Sequence, residues 1–249
     1  MASWTYTAAR QTLMGFALGA AAAGASAIPL TIPTTYVDAE SIYTFDADTA
    51  SMMENLGISV RALGNSQAVS GSAWQFMMPV TQVTLNASIL PLGLTPVSGF
   101  ASGSGLMIQN EAGALTLANF GLDFKRNVLT ADLGTSAGVT KAFDVYSFTV
   151  DKGLHVSASG GLSMAMNLSH MTLTSGAQAQ FASALQLDEL AVYLLPVLNF
   201  GTLDVNISPA LRFGLSDKPL VAAIPEPPRF ATLGLGLLGL AFVARRRLS

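Results

Sequence analysis

Apolar and polar side chains alternate with a period of two through much of the middle of this chain. Val83, Leu85, Ala87 and Ile89 interleave with Gln82, Thr84, Asn86 and Ser88. Leu162, Met164, Met166 and Leu168 interleave with Ser163, Ala165, Asn167 and Ser169, and Leu203, Val205 and Ile207 with Thr202, Asp204 and Asn206. Successive side chains of a strand point to opposite faces, so this period predicts half-buried strands. Residues 115–120 and 145–150 are also strand-like. Turn-forming residues separate the runs, at 91–93, 103–105, Gly121, Gly138, Lys152-Gly153 and Gly160-Gly161. Short strands at this spacing predict a mainly β fold, an antiparallel β-sandwich or barrel-like body. One stretch departs from the period. Residues 175–187 are rich in Ala, Gln and Leu, with Phe181, Leu185 and Leu187 on roughly one side and Thr174 or Ser175 placed to cap. They predict one short helix packed over the end of a sheet. No linker divides residues 28–223, which read as one domain.

The two ends follow different patterns. Arg10 precedes an apolar run at 13–23, and Gly24-Ala25-Ser26-Ala27 follows. Charge, apolar stretch and small residues at Ala25 and Ala27 occur in the order of a signal peptide over 1–27, cut by signal peptidase before Ile28. At the other end, Pro225-Glu226-Pro227-Pro228 cannot continue a helix or a sheet ladder. The fifteen residues from 230 to 244 then carry no charge. As a helix they would reach about 22 Å, short of a bilayer core of about 30 Å, and flanking Arg stems and local thinning cover the difference. Arg245, Arg246 and Arg247 close the segment. The bias of Lys and Arg toward the cytoplasm puts this triplet inside and the Pro-Glu-Pro stretch outside.

Residues 224–249, with Ile224-Pro225-Glu226-Pro227, an apolar segment rich in Gly and Leu, and a terminal Arg cluster, resemble the PEP-CTERM sorting tail of Gram-negative bacteria. Ile224 stands where Val is usual, and Arg229 follows the box closely. The resemblance implies processing near Pro225-Glu226-Pro227 by an exosortase, a membrane-embedded cysteine protease or transpeptidase. It also implies transient residence in the inner membrane and delivery to the outer surface or medium, often beside exopolysaccharide or biofilm. The alternative is a single-pass anchor that is never cut. Gly234-Leu235-Gly236-Leu237-Leu238-Gly239 matches G-x-G-x-x-G, but no acid follows it before the chain ends. It reads as a small-residue membrane segment and not as a dinucleotide site.

Charge narrows the function classes. Residues 28–223 hold seven Lys and Arg against fourteen Asp and Glu, a net of −7. An acidic body gives no basic face for nucleic acid. The chain has no Cys, which removes disulfides, thiolate metal sites and cysteine nucleophiles. Its two His, His155 and His170, fall in separate strand-like stretches, so neither a metal site nor a cofactor is expected. No G-x-S-x-G marks a nucleophile, and the sequence predicts no catalytic residue. Asp38, Glu40, Asp46 and Asp48 read as a solvated acidic segment, and Asp46-Ala47-Asp48 is too short for a calcium loop. The N-x-S triplets at Asn86, Asn167 and Asn206 read as coincidental beside a tail that resembles a bacterial sorting signal.

A second resemblance lies in the body. Trp74-Gln75-Phe76-Met77-Met78-Pro79-Val80, Ser104-Gly105-Leu106-Met107-Ile108, Leu115-Thr116-Leu117-Ala118-Asn119-Phe120, Val128-Leu129-Thr130-Ala131-Asp132 and Leu173-Thr174 are similar in rhythm to HtaA-type bacterial surface domains. That family is β-rich, and some members bind haem through Tyr and His. Here Leu106 stands where His often follows Gly. The resemblance nominates Tyr146 or His155 as ligand contacts. The leading expectation is a non-enzymatic surface or matrix protein whose Thr, Ser and Asn strand faces contact polysaccharide.

Overall fold

The computed structural model describes residues 28–33, 38–89, 92–157, 163–208, 212 and 214–223. The signal peptide with Ala25 and Ala27 lies outside the described residues. So does the tail with Ile224, Pro225, Glu226, Pro227, Arg245, Arg246 and Arg247.

The body is mainly β and antiparallel. Its strands are β1 (Ile28–Pro33), β2 (Asp38–Thr44), β3 (Ser59–Gly64), β4 (Gln67–Ala68), β5 (Gln75–Pro79), β6 (Gln82–Ile89), β7 (Leu92–Gln109), β8 (Ala114–Asp123), β9 (Val128–Thr135), β10 (Gly138–Ser157), β11 (Ser163–Leu173) and β12 (Thr202–Ser208). They form a single twelve-stranded sheet in the order β1-β6-β7-β8-β9-β10-β11-β12-β2-β5-β4, with β3 also pairing β7. The sheet is a curled half-barrel and not two stacked sheets. β5, near one margin, runs directly into β6, near the other. Val80 N–H donates to Ala39 O on β2 at 2.9 Å, and Thr81 N–H to Phe100 O on β7 at 2.7 Å.

Among the described residues three α-helices accompany the sheet, where the sequence predicted one. α2 (Ser175–Leu185) is the expected helix, and Thr174 Oγ1 caps it by accepting from Ala177 N–H. α1 (Ala47–Asn55) and α3 (Glu189–Leu194) are additional, and a 3₁₀ turn (Leu195–Val197) follows α3. Both of the extra helices start at an Asp, and one of these, Asp46, belongs to the segment expected to be solvated. Asp46 Oδ1 accepts from Asp48 N–H at 3.0 Å, and Asp188 Oδ1 from Ala191 N–H at 2.7 Å. An Asp at an N-cap satisfies donors that the first helical turn leaves free. The helices close one end of the half-barrel, where Phe181 and Leu185 of α2, Met53 of α1 and Leu195 are buried beside Phe200. Among the described residues, no helix is long and apolar enough to cross a membrane.

The period of two holds within strands but slips at bulges. On β8 the buried series Leu115, Leu117 resumes as Phe120, and on β11 Met164, Met166, Leu168 resumes as Met171, Leu173. Asn119 (φ 54°) and His170 (φ 50°) sit at the two slips. An extra residue in a strand bends it and shifts the inward phase, which is what curls this sheet. Gly103-Ser104-Gly105, expected as a turn, lies inside the eighteen-residue β7 at a register shift.

Candidate functional site

Two features of the body stand out: an interior slot at the open end and a segment strapped across the outer wall. The slot is lined by side chains from both margins and the middle of the sheet, among them Met78, Leu85, Phe100, Leu129, Met166 and Val205. It encloses about 580 Å³ counting its open mouth. Its only hydroxyls are those of Ser41 and Ser98, and Ser41 Oγ already donates to Met78 O at 2.9 Å. A narrow, carbon-lined slot carries no group for acid–base or metal chemistry.

Tyr146 and His155, nominated from the sequence as ligand contacts, do not meet. Both are on β10, nine residues apart, or roughly 30 Å along a strand. Tyr146 is buried, its ring 6.2 Å from Tyr43 and 5.5 Å from Phe200. Tyr43 Oη donates to Phe200 O at 2.7 Å. Burial first, and the neighbouring Tyr146 phenol second, push the Tyr43 phenol well above its ordinary pKa. Burial likewise raises Tyr146. Both phenols are therefore neutral core groups at physiological pH. His155 and His170 are exposed on β10 and β11. Among the described residues, no group of three or more His, Asp or Glu is placed to hold a metal ion. Arg126 bridges Asp123 and Asp144, each at 2.7 Å, on an exposed surface. Its hydrogen bonds hold the Asp123 carboxyl below the usual carboxylate range.

The strap comprises residues 216–223, the last described before the Pro-Glu-Pro stretch. Asn119 is its clasp. Asn119 Oδ1 accepts from Leu220 N–H at 2.7 Å and from Gly103 N–H at 3.0 Å. Asn119 Nδ2 donates to Leu220 O at 2.7 Å and to Asp132 Oδ2 at 2.9 Å. The amide thus binds both backbone groups of one strap residue, as a neighbouring strand would. Asn65 Nδ2 adds a bond to Ser216 O at 2.8 Å. Asn is suited to this role because it tolerates φ > 0 and carries a donor and an acceptor together. Two glycines let the strap lie on the sheet. A Cβ on Gly105 would meet Leu220 Cδ2 at 2.9 Å, and one on Gly134 would meet Ala223 O at 2.5 Å. Ala222 is buried under this contact. The strap is not among the features expected from the sequence. Its only trace was an Asn inside a strand-like run, flanked in space by glycines from other strands.

No family model, curated protein or solved structure matches this chain.

Proposed function

We propose that this chain is an exported, non-enzymatic surface or matrix protein, delivered through a PEP-CTERM-type tail and presented by its C-terminal stem. The observation that carries the reading is the strap. Residues 216–223 are clasped to the body through Asn119 and Asn65, and the chain passes from buried Ala222 to Ile224-Pro225-Glu226-Pro227 within two residues. In this reading the sorting motif follows, in sequence, directly on the clasped strap. Signal peptidase and an exosortase are the processing partners in this reading. The polar strand faces, such as Thr31 and Thr84 with hydroxyls 3.2 Å apart, are the surface offered to exopolysaccharide.

The test is the intact mass of the protein recovered from membrane and extracellular fractions of its native host. Loss of residues 1–27 and of everything after the Pro-Glu-Pro stretch supports the reading. A mass that retains Arg245, Arg246 and Arg247, found only in membranes, replaces it with an uncut single-pass anchor.

A second reading, a small-ligand surface protein of the HtaA type, is favoured by the interior slot alone. Haem titration of the purified body discriminates: a shifted Soret band supports it, and an unchanged spectrum removes haem as the ligand.

A further inference from the structure

The four most exposed large apolar side chains of the described residues are Leu190 at 68%, Tyr193 at 78%, Val197 at 75% and Val221 at 87%. Every other exposed large apolar side chain is less than half exposed. Leu190, Tyr193 and Val197 follow one another at i, i+3 and i+7 along α3 and its 3₁₀ turn, a spacing that keeps side chains on one helical side. Val221 is on the strap, two residues before the last described residue.

These groups share one end of the molecule. The strap runs from Gly103 past Asn119 to Gly134, one residue short of the end of β9. Gly134 pairs with Thr116 near the start of β8. The turn before β8 abuts the end of α2, where Asn110 Nδ2 donates to Leu185 O at 2.9 Å and Gln186 Nε2 to Ala112 O at 2.8 Å. α3 begins three residues later. The chain therefore leaves the body at the helix-closed end, and the uncharged run begins at Phe230, seven residues past Ala223. Seven residues reach at most about 25 Å.

We propose that the helix-closed end is a membrane-seating face, with Leu190, Tyr193, Val197 and Val221 set into the interfacial layer of the bilayer that the tail enters. This rests on the reading of residues 230–247 as a membrane segment. The short tether supplies proximity, and the exposed apolar set supplies the contact. Burying such side chains is worth about 25 cal/mol per Å² of apolar surface. Tyr193, with an apolar ring and a polar tip, suits the headgroup boundary. Charge selects the lipid class. Asp188 and Glu189 open α3, and residues 153–211 contain no Lys or Arg. The strap adds Asp217 and Lys218, whose charges cancel, so the face holds no excess of cations for an anionic surface and is matched to zwitterionic headgroups.

The experiment uses the full chain with its tail, reconstituted in vesicles of phosphatidylcholine and phosphatidylethanolamine. The absence of native Cys allows one environment-sensitive fluorophore to be placed on Tyr193→Cys, or on Lys152→Cys as a control on the exposed distal half of β10. Flotation first reports whether the tail inserts. In floated protein, the label at 193 shifts to the blue, at least doubles in intensity and is quenched by doxyl lipids. The label at 152 does none of these. Adding Leu190→Ser and Val197→Ser, both at exposed sites, cancels the shift at 193. Floated protein whose 193 label stays as accessible to iodide as the 152 label overturns the seating face alone. Equal blue shifts at both positions overturn it too. Protein that does not float overturns both the seating face and the membrane reading of the tail.

Discussion

Replacing Asn119 isolates the contribution of the strap. Asn119→Gly keeps the left-handed backbone and removes all four side-chain hydrogen bonds, two to Leu220, one to Gly103 and one to Asp132. A hydrogen bond in a folded protein contributes on the order of 1 kcal/mol net. Water replaces part of what is lost once the strap lifts, so the expected destabilisation is about 3 kcal/mol. Asn119→Ala loses the same bonds and also places a Cβ at φ 54°, which costs roughly 1–2 kcal/mol more. The ordering Asn, then Gly, then Ala is the signature of the clasp. An ordinary exposed strand position gives the reverse order for Gly and Ala, since Gly is the poorer strand residue.

Urea unfolding of the body gives the two stability differences. Hydrogen exchange over residues 216–223 gives the location. Protection of Leu220 and Ala222 falls at least tenfold in Asn119→Gly, while Leu168 and Val145 at the centre of the sheet lose protection only by as much as global stability falls. Equal loss of protection in strap and core would refute the argument, because the strap would then not be a locally releasable element. So would an Asn119→Gly variant as stable as the native chain.

Three further outcomes follow from the same structure. His170→Gly keeps or slightly raises stability, whereas His170→Val costs about 1–2 kcal/mol, because a β-branched residue at φ 50° is strained; thermal melts check both. Ser104 Oγ and Thr116 Oγ1 are buried without a hydrogen-bond partner among the described residues, so Ser104→Ala and Thr116→Val leave the urea midpoint unchanged or raise it; a loss above about 1 kcal/mol in either would show that the hydroxyl has a role the structure does not explain. Burial raises the pKa of Tyr43 and Tyr146, so the neutral phenols contribute stability that is whole below about pH 10, the unfolded value, and is lost as pH rises toward the folded values. Urea midpoints should hold up to about pH 9 and fall by about pH 11, and Tyr43→Phe should flatten that fall.

What the sequence revealed and what it concealed divide along a physical line. Alternation reports burial of side chains against one sheet face, so β6, β11 and β12 were legible from Leu85, Met166 and Val205. It reports nothing about where the phase slips. Slips depend on single residues in a left-handed conformation, and Asn119 and His170 can adopt it without being Gly. The curl of the sheet was hidden for that reason, and a sandwich and a barrel looked equally good. The extra helices were hidden differently. Asp46 and Asp188 are acids in an acidic protein; the fold shows Asp46 capping α1 and Thr49 Oγ1 donating to Asn199 O at 2.6 Å, across 150 residues.

The functional features follow the same division. The expectations for the two chain ends rest on an apolar run, a proline box and an arginine cluster, patterns that need no tertiary structure to be seen. The strap and the exposed end of α3 required the fold. A clasp made of one amide and two glycines has no local signature, because Asn119, Gly105 and Gly134 come from three different strands. Nor does an i, i+3, i+7 apolar row in α3 declare itself exposed; the same row inside a bundle would be core. Curling the sheet gathers the three clasp residues on the outer wall, while the helices fill one end and leave Leu190, Tyr193 and Val197 uncovered. The same curled wall carries the strap, residues 216–223, past Asn119 to Gly134. The bulges that were least visible in the sequence thereby set both how the domain is held and which face it turns toward the membrane in the proposed arrangement.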